Sequence, residues 1–174
     1  KVMQHYHIID VDTHVTERGD LWTSRVPKRM RDKVPYVAKN NRGRVMWYIG
    51  DQAIARLGFN ATAGVGDMMT PPNDYDDMHP GAWDADERLK YMDQYGIWAM
   101  VMYPNVGGFG NQAFLKLKEP ELMLTCVQVY NDWQSEWAAA DPRRLLPITS
   151  LPFWDISQSV AEVHRCAKKG HKGI

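Results

Sequence analysis

From Asp84 onward helical and strand patterns alternate at short intervals, and this rhythm limits the chain's fold more than any other feature. Asp84 is a good N-cap with Glu87 in the capping-box position; Ala85, Leu89 and Met92 share one helical face, and Gly96 supplies the stop. Next comes Ile97–Tyr103, IWAMVMY, a nearly continuous apolar run of the kind found in strands buried on both faces of a parallel sheet. A second helix begins at Pro120 and sets Leu122, Cys126, Val129, Trp133 and Trp137 on one side, ending at Asp141-Pro142. Leu145–Leu151 reads as the next strand. Asp155 and Gln158 then cap a third helix with an inner stripe of Ile156, Val160, Val163 and Ala167, and a further strand opens at His171. Strands and helices at crossover spacing predict parallel βαβ units.

The N-terminal part is different. His7–Val15 alternates and is rich in β-branched residues, so it reads as a buried strand with polar groups on one face. Residues 16–83 form an irregular excursion. Its strand-like pieces PYVA, RVMWYIG and QAIARLGF are separated by turn signals at Asn40–Gly43 and at Gly50-Asp51, which predicts a small antiparallel sheet. Breakers crowd Ala61–Gly81.

In a strand, residues two apart point the same way, so Asp10, Asp12 and His14 are expected on one face and Ile9, Val11, Thr13 and Val15 on the other. Carboxylates and an imidazole turned into an interior need a partner, and a divalent metal suits both donor types. The same string also suits a strand end satisfied by backbone groups and water, and residue pattern alone leaves both readings open.

A formal net charge of zero gives no global field toward nucleic acid or an anionic membrane, and no stretch has the length of a membrane span. Hydrophobic residues at 44% and charged residues at 24% fit an ordinary globular protein with a core. Two cysteines inside helical patterns, Cys126 and Cys166, imply reduced structural thiols and a cytoplasmic protein.

Over most of residues 7–174 the chain resembles the amidohydrolase-related family that includes the aminocarboxymuconate-semialdehyde and hydroxybenzoate-type decarboxylases. The pieces that carry the resemblance are IIDVDTHVTE, DLW at 20–22, DERLKYMDQYGI, YNDWQSEWAAADPRRLLPITSLP and AEVHRCAKKGHKGI, in the family's order. The resemblance implies an α/β fold, the first half of a (β/α)8 barrel from strand 1 to the start of strand 4, with the 16–83 excursion after strand 1. A closed barrel of this type needs about 250 residues, so the chain is expected to be incomplete as a functional unit. The missing partner is the C-terminal half of the same protein or a second chain, and self-association into a homo-oligomer is a further expectation.

The resemblance also makes Asp12 and His14 the first-strand pair of ligands to one divalent ion, zinc first and manganese or iron as alternatives. Asp10 lies one step deeper and is expected to support the site rather than to ligate. The implied activity is metal-dependent hydrolysis of a small, carboxylate-bearing organic substrate, with decarboxylation as the alternative and a non-catalytic assembly module as a third reading. A general acid or base is expected outside these residues. Sites of such barrels lie at the C-terminal strand ends, which nominates Tyr103 and Asn105 after the second barrel strand, with Phe153 and Trp154 after the third. Trp22 is read either as an apolar wall of the site or as core. His79 reads as an exposed loop histidine or part of a lid, His164 as a surface residue, and His7 as facing the helices.

Overall fold

The computed structural model describes residues 7–62, 70–108 and 110–174. Strand β1 spans Ile8–Val15 and is followed by the short helix α1, Leu21–Arg25. The excursion then supplies β2 (Tyr36–Lys39), β3 (Val45–Ile49) and β4 (Gln52–Arg56), paired antiparallel in the order β2-β3-β4. Helix α2 (Ala85–Tyr95), strand β5 (Ile97–Pro104), helix α3 (Pro120–Ala138), strand β6 (Leu145–Pro147) and helix α4 (Ile156–Ala167) complete the chain. The main sheet is parallel in the order β1-β5-β6, and a parallel bridge from Ile148 to Gly173 begins a fourth line.

Local chemistry sets the element ends as the sequence predicts. The Asp84 carboxylate accepts from Glu87 N at 2.9 Å, Gly96 closes α2 in the left-handed region at φ 69°, and Asp155 accepts from Gln158 N at 3.0 Å. Between the parallel sheet, α1, α3 and β3 lies the main core, with Trp22, Trp47, Phe114, Met102, Cys126, Val127 and Tyr130. Arg88 on α2 is buried against β1, where its guanidinium donates to Thr13 Oγ1 at 3.1 Å and to the carbonyl of His14 at 2.9 Å.

Three expectations need correction. First, β1 is not a buried strand here: Ile9 and Val11 are 54% and 65% exposed, because among the described residues β1 pairs only with β5. Second, the third strand is shorter than Leu145–Leu151, since Ile148 leaves β6 to bridge Gly173. Third, α4 presents the opposite face. Ile156 and Val160 are 75% and 53% exposed, whereas Ser159, Glu162 and Cys166 are buried. The reason is a satisfied polar network: Glu162 accepts from Asn131 Nδ2 at 2.7 Å and from Arg165 at 2.6 Å, Arg165 also pairs with Asp132, and Asn131 exchanges bonds with the backbone of Ser150. Burial alone would raise the Glu162 pKa, but the bonds from Arg165 and Asn131 hold it below the ordinary glutamate value.

Removing one partner from such a cluster leaves the other charge buried. Glu162→Ala is expected to cost about 3 kcal/mol in denaturant unfolding. A loss no larger than that of a surface substitution would show that the cluster does not hold α4 in place.

Candidate active site

The parallel register sets His14 opposite Tyr103 and Val15 opposite Pro104, so the C-terminal ends of β1 and β5 meet. His14 Nδ1 lies 3.1 Å from the carbonyl oxygen of Pro104. A carbonyl can only accept, so Nδ1 carries the proton, and in the neutral ring Nε2 carries the lone pair. This is the tautomer in which an imidazole ligates a metal through Nε2 while a backbone carbonyl orients it. Asp10 Oδ1 accepts from Asp12 N at 3.1 Å, beside register irregularities between Ile8 and Ile9 and between Asp10 and Thr13. Strict alternation is therefore interrupted, yet Asp10, Asp12 and His14 all border one cavity of about 490 Å³.

That cavity also touches Thr13, of the opposite parity, together with Ile97 and Met100 of β5, so it is not confined to one face of β1. His79, Arg88 and Tyr91 border it too. His79 is both exposed and at the cavity: its Nδ1 accepts from Gly81 N at 3.1 Å, capping a 3-10 turn over Pro80–Ala82, and its ring meets Tyr91 edge-on at 5.1 Å. Thr16 N donates to Ala82 O at 2.8 Å and ties this turn to the end of β1. Desolvation lowers the Arg88 pKa to about 10, which leaves it charged at neutral pH.

A carboxylate and an imidazole oriented through Nδ1 fit part of a divalent-ion site. Among the described residues no group of three or more His, Cys, Asp or Glu side chains could hold an ion. Tyr103 and Phe153 border a second cavity of about 300 Å³ with Ser150 and Leu151, and the Tyr103 ring lies 6.3 Å from that of His14. Asn105, expected to touch substrate, instead brackets the loop: Nδ2 donates to Val15 O at 2.8 Å and Oδ1 accepts from Asn60 at 2.6 Å. Trp22 is fully buried, with its indole N–H on Cys126 O at 3.0 Å and its ring against Trp47 and Phe114. Of its two readings the structure gives core packing. Among the described residues, the other histidines border neither cavity. His7 meets Trp98 edge-on, His164 is exposed, and His171 is buried against Ser135 and Thr149.

Glu17, which strand parity could not single out because it lies past the end of β1, is fully buried beside this corner. Its Oε1 accepts from Asn105 N at 2.9 Å and Val106 N at 3.1 Å, and Oε2 is buried without a hydrogen-bond partner among the described residues. Desolvation raises its pKa to about 7, against the lowering effect of those backbone bonds.

No family model matches the chain, and no curated protein matches it. Solved structures do. An amidohydrolase from Mycobacterium avium subsp. paratuberculosis K-10 is similar with a TM-score of 0.72 at 21% identity, over 97% of this chain and 48% of that one. A dihydroxybenzoic acid decarboxylase from Polaromonas sp. JS666, with bound manganese and the inhibitor 2-nitroresorcinol, gives 0.56 at 18% identity, over 96% and 37%. A 2,6-dihydroxybenzoate decarboxylase complexed with 2,6-dihydroxybenzoate gives 0.53 at 19%, over 96% and 38%. The chain thus spans half or less of each of these structures. At these identities the likeness shows the fold, and the α/β arrangement is that of a partial (β/α)8 barrel. Among the described residues no helix is long and apolar enough to cross a membrane.

The raised Glu17 pKa has a stability consequence. The fold favours the neutral form, so this contribution is complete below about pH 4.5 and is lost as pH rises through about 7. The full loss is about 3 kcal/mol. Glu17→Gln is expected to flatten stability between those pH values and to exceed the parent above pH 7, measured by denaturant unfolding at fixed ionic strength. Parallel pH profiles for the two proteins would contradict the assignment.

Proposed function

We propose that these residues belong to a metal-dependent enzyme of the amidohydrolase superfamily, with Asp12 and His14 as two ligands of one divalent ion. The observation that carries this reading is the His14–Pro104 bond, which fixes the Nδ1–H tautomer of an imidazole sharing a cavity with Asp12 at the C-terminal end of a parallel strand. Carboxylate and imidazole suit zinc, manganese or iron, and manganese is the ion bound in the similar dihydroxybenzoic acid decarboxylase. When bound, the ion would lower the pKa of a water or fix an oxygen of the substrate. Asp12 and His14 would hold it. Asp10 would brace the backbone at Asp12, and Tyr103 and Phe153 would offer aromatic surface to a small organic, carboxylate-bearing substrate.

Hydrolysis is the first form of the reaction, consistent with the similar amidohydrolase. Decarboxylation is the second, and the two similar decarboxylases, one holding 2,6-dihydroxybenzoate, favour it. The remaining ligands and the acid or base would come from further polypeptide, of the same protein or of a second chain. Exposed Ile8, Ile9 and Val11 on one sheet edge, and exposed Phe153 and Ile174 near the other, supply the apolar surface that such a partner would cover. The two free, buried thiols suit the cytoplasm.

The test uses the whole protein. It should hold about one divalent ion per chain. His14→Ala should lose the ion together with turnover, and Asp12→Asn should keep the fold but lose most turnover. Metal analysis with an assay of carbon dioxide release from 2,6-dihydroxybenzoate, beside one of ester and amide hydrolysis, separates the two reactions. Unchanged metal content and turnover in His14→Ala would remove the reading.

A further inference from the structure

The carbonyl that orients His14 and the N–H that Glu17 accepts belong to one peptide group, Pro104–Asn105. A peptide is planar and its C=O and N–H point in opposite directions, so fixing one end fixes the aim of the other. Glu17 Oε1 grips this plane at Asn105 N and, through Val106 N, grips the next, a two-point hold that resists rotation about the loop. We propose that Glu17 is a positioning residue for His14, acting through the Pro104–Asn105 peptide; the inference rests on the reading of His14 as a metal ligand.

Three features support the assignment. Glu17 borders neither cavity, so its side chain meets the loop rather than a substrate. Its own backbone is fixed, with its carbonyl accepting from Tyr75 Oη at 2.7 Å. The far side of Asn105 is bracketed by Val15 O and Asn60, so the peptide has no slack in which to turn while Glu17 is in place. An acceptor on the N–H also polarises the peptide and strengthens its carbonyl as the acceptor for His14. Without that acceptor the buried N–H of Val106 and the partly buried N–H of Asn105 lose their partner, and the loop gains by turning them elsewhere.

The variants are chosen to separate acceptor geometry from the presence of a carboxyl group. Glu17→Gln keeps the size and one acceptor oxygen, Glu17→Asp keeps the carboxyl group but is one methylene short, and Glu17→Met keeps the bulk without an acceptor. Nitrogen-15 shifts of the His14 ring in the metal-free whole protein report its tautomer, and a manganese titration reports the ligand's alignment. Parent and Glu17→Gln should both show the Nδ1–H tautomer and manganese affinities within about threefold of each other. Glu17→Asp and Glu17→Met should lose that tautomer as the dominant form and bind manganese on the order of tenfold more weakly.

Parent-like tautomer and affinity in the Asp and Met variants would overturn the proposal, and so would a Gln variant as impaired as Asp. If Glu17→Met does not fold, the Gln and Asp pair decides. If His14→Ala keeps the parent's manganese affinity, the ligand reading fails, while the metal-free tautomer still tests the link from Glu17 to His14.

Discussion

Because β1 and β5 run parallel with Val15 opposite Pro104, the end of one strand and the loop leaving the other meet at a single corner. Every feature of the candidate site depends on that register. It brings the Pro104 carbonyl to His14 Nδ1, the Asn105 amide to Val15 O, and the first two N–H groups of the loop to Glu17. A slip of one residue would turn the other side chains toward the loop and undo all three. Arg88 secures the register from outside by joining α2 to Thr13 and to the His14 carbonyl.

Much of this architecture is legible in the sequence because it rests on local signals. Asp84, Gly96, Pro120 and Asp155 mark helix ends through caps that depend only on near neighbours, and Gly43 and Gly50 mark hairpin turns at positive φ. Asp12 and His14 border one cavity, as strand periodicity suggests, although the irregularity between Asp10 and Thr13 brings Thr13 to it as well.

The rest depends on partners distant in sequence. Periodicity predicts an apolar inner stripe for α4, but the polar face is inside because Asn131, Arg165 and Ser150 satisfy Glu162 and its neighbours. Apolar Ile156 and Val160 are left outward. Trp22 could serve as core or as site wall until α3 supplies the Cys126 carbonyl for its indole. Asn105 looks like a ligand contact by position, but Val15 and Asn60 take up its amide. Glu17 carries no periodic signal, and its role emerges only when the loop after β5 folds back over it.

A divalent ion held by His14 beside Asp12 would act first on the histidine ring nearest to it. The most direct measurement is the paramagnetic broadening of histidine ring resonances as manganese is added to the whole protein, up to one equivalent. The His14 ring protons are expected to broaden first and most, with His164 sharp throughout. Manganese bound at one equivalent with His14 still sharp would contradict it.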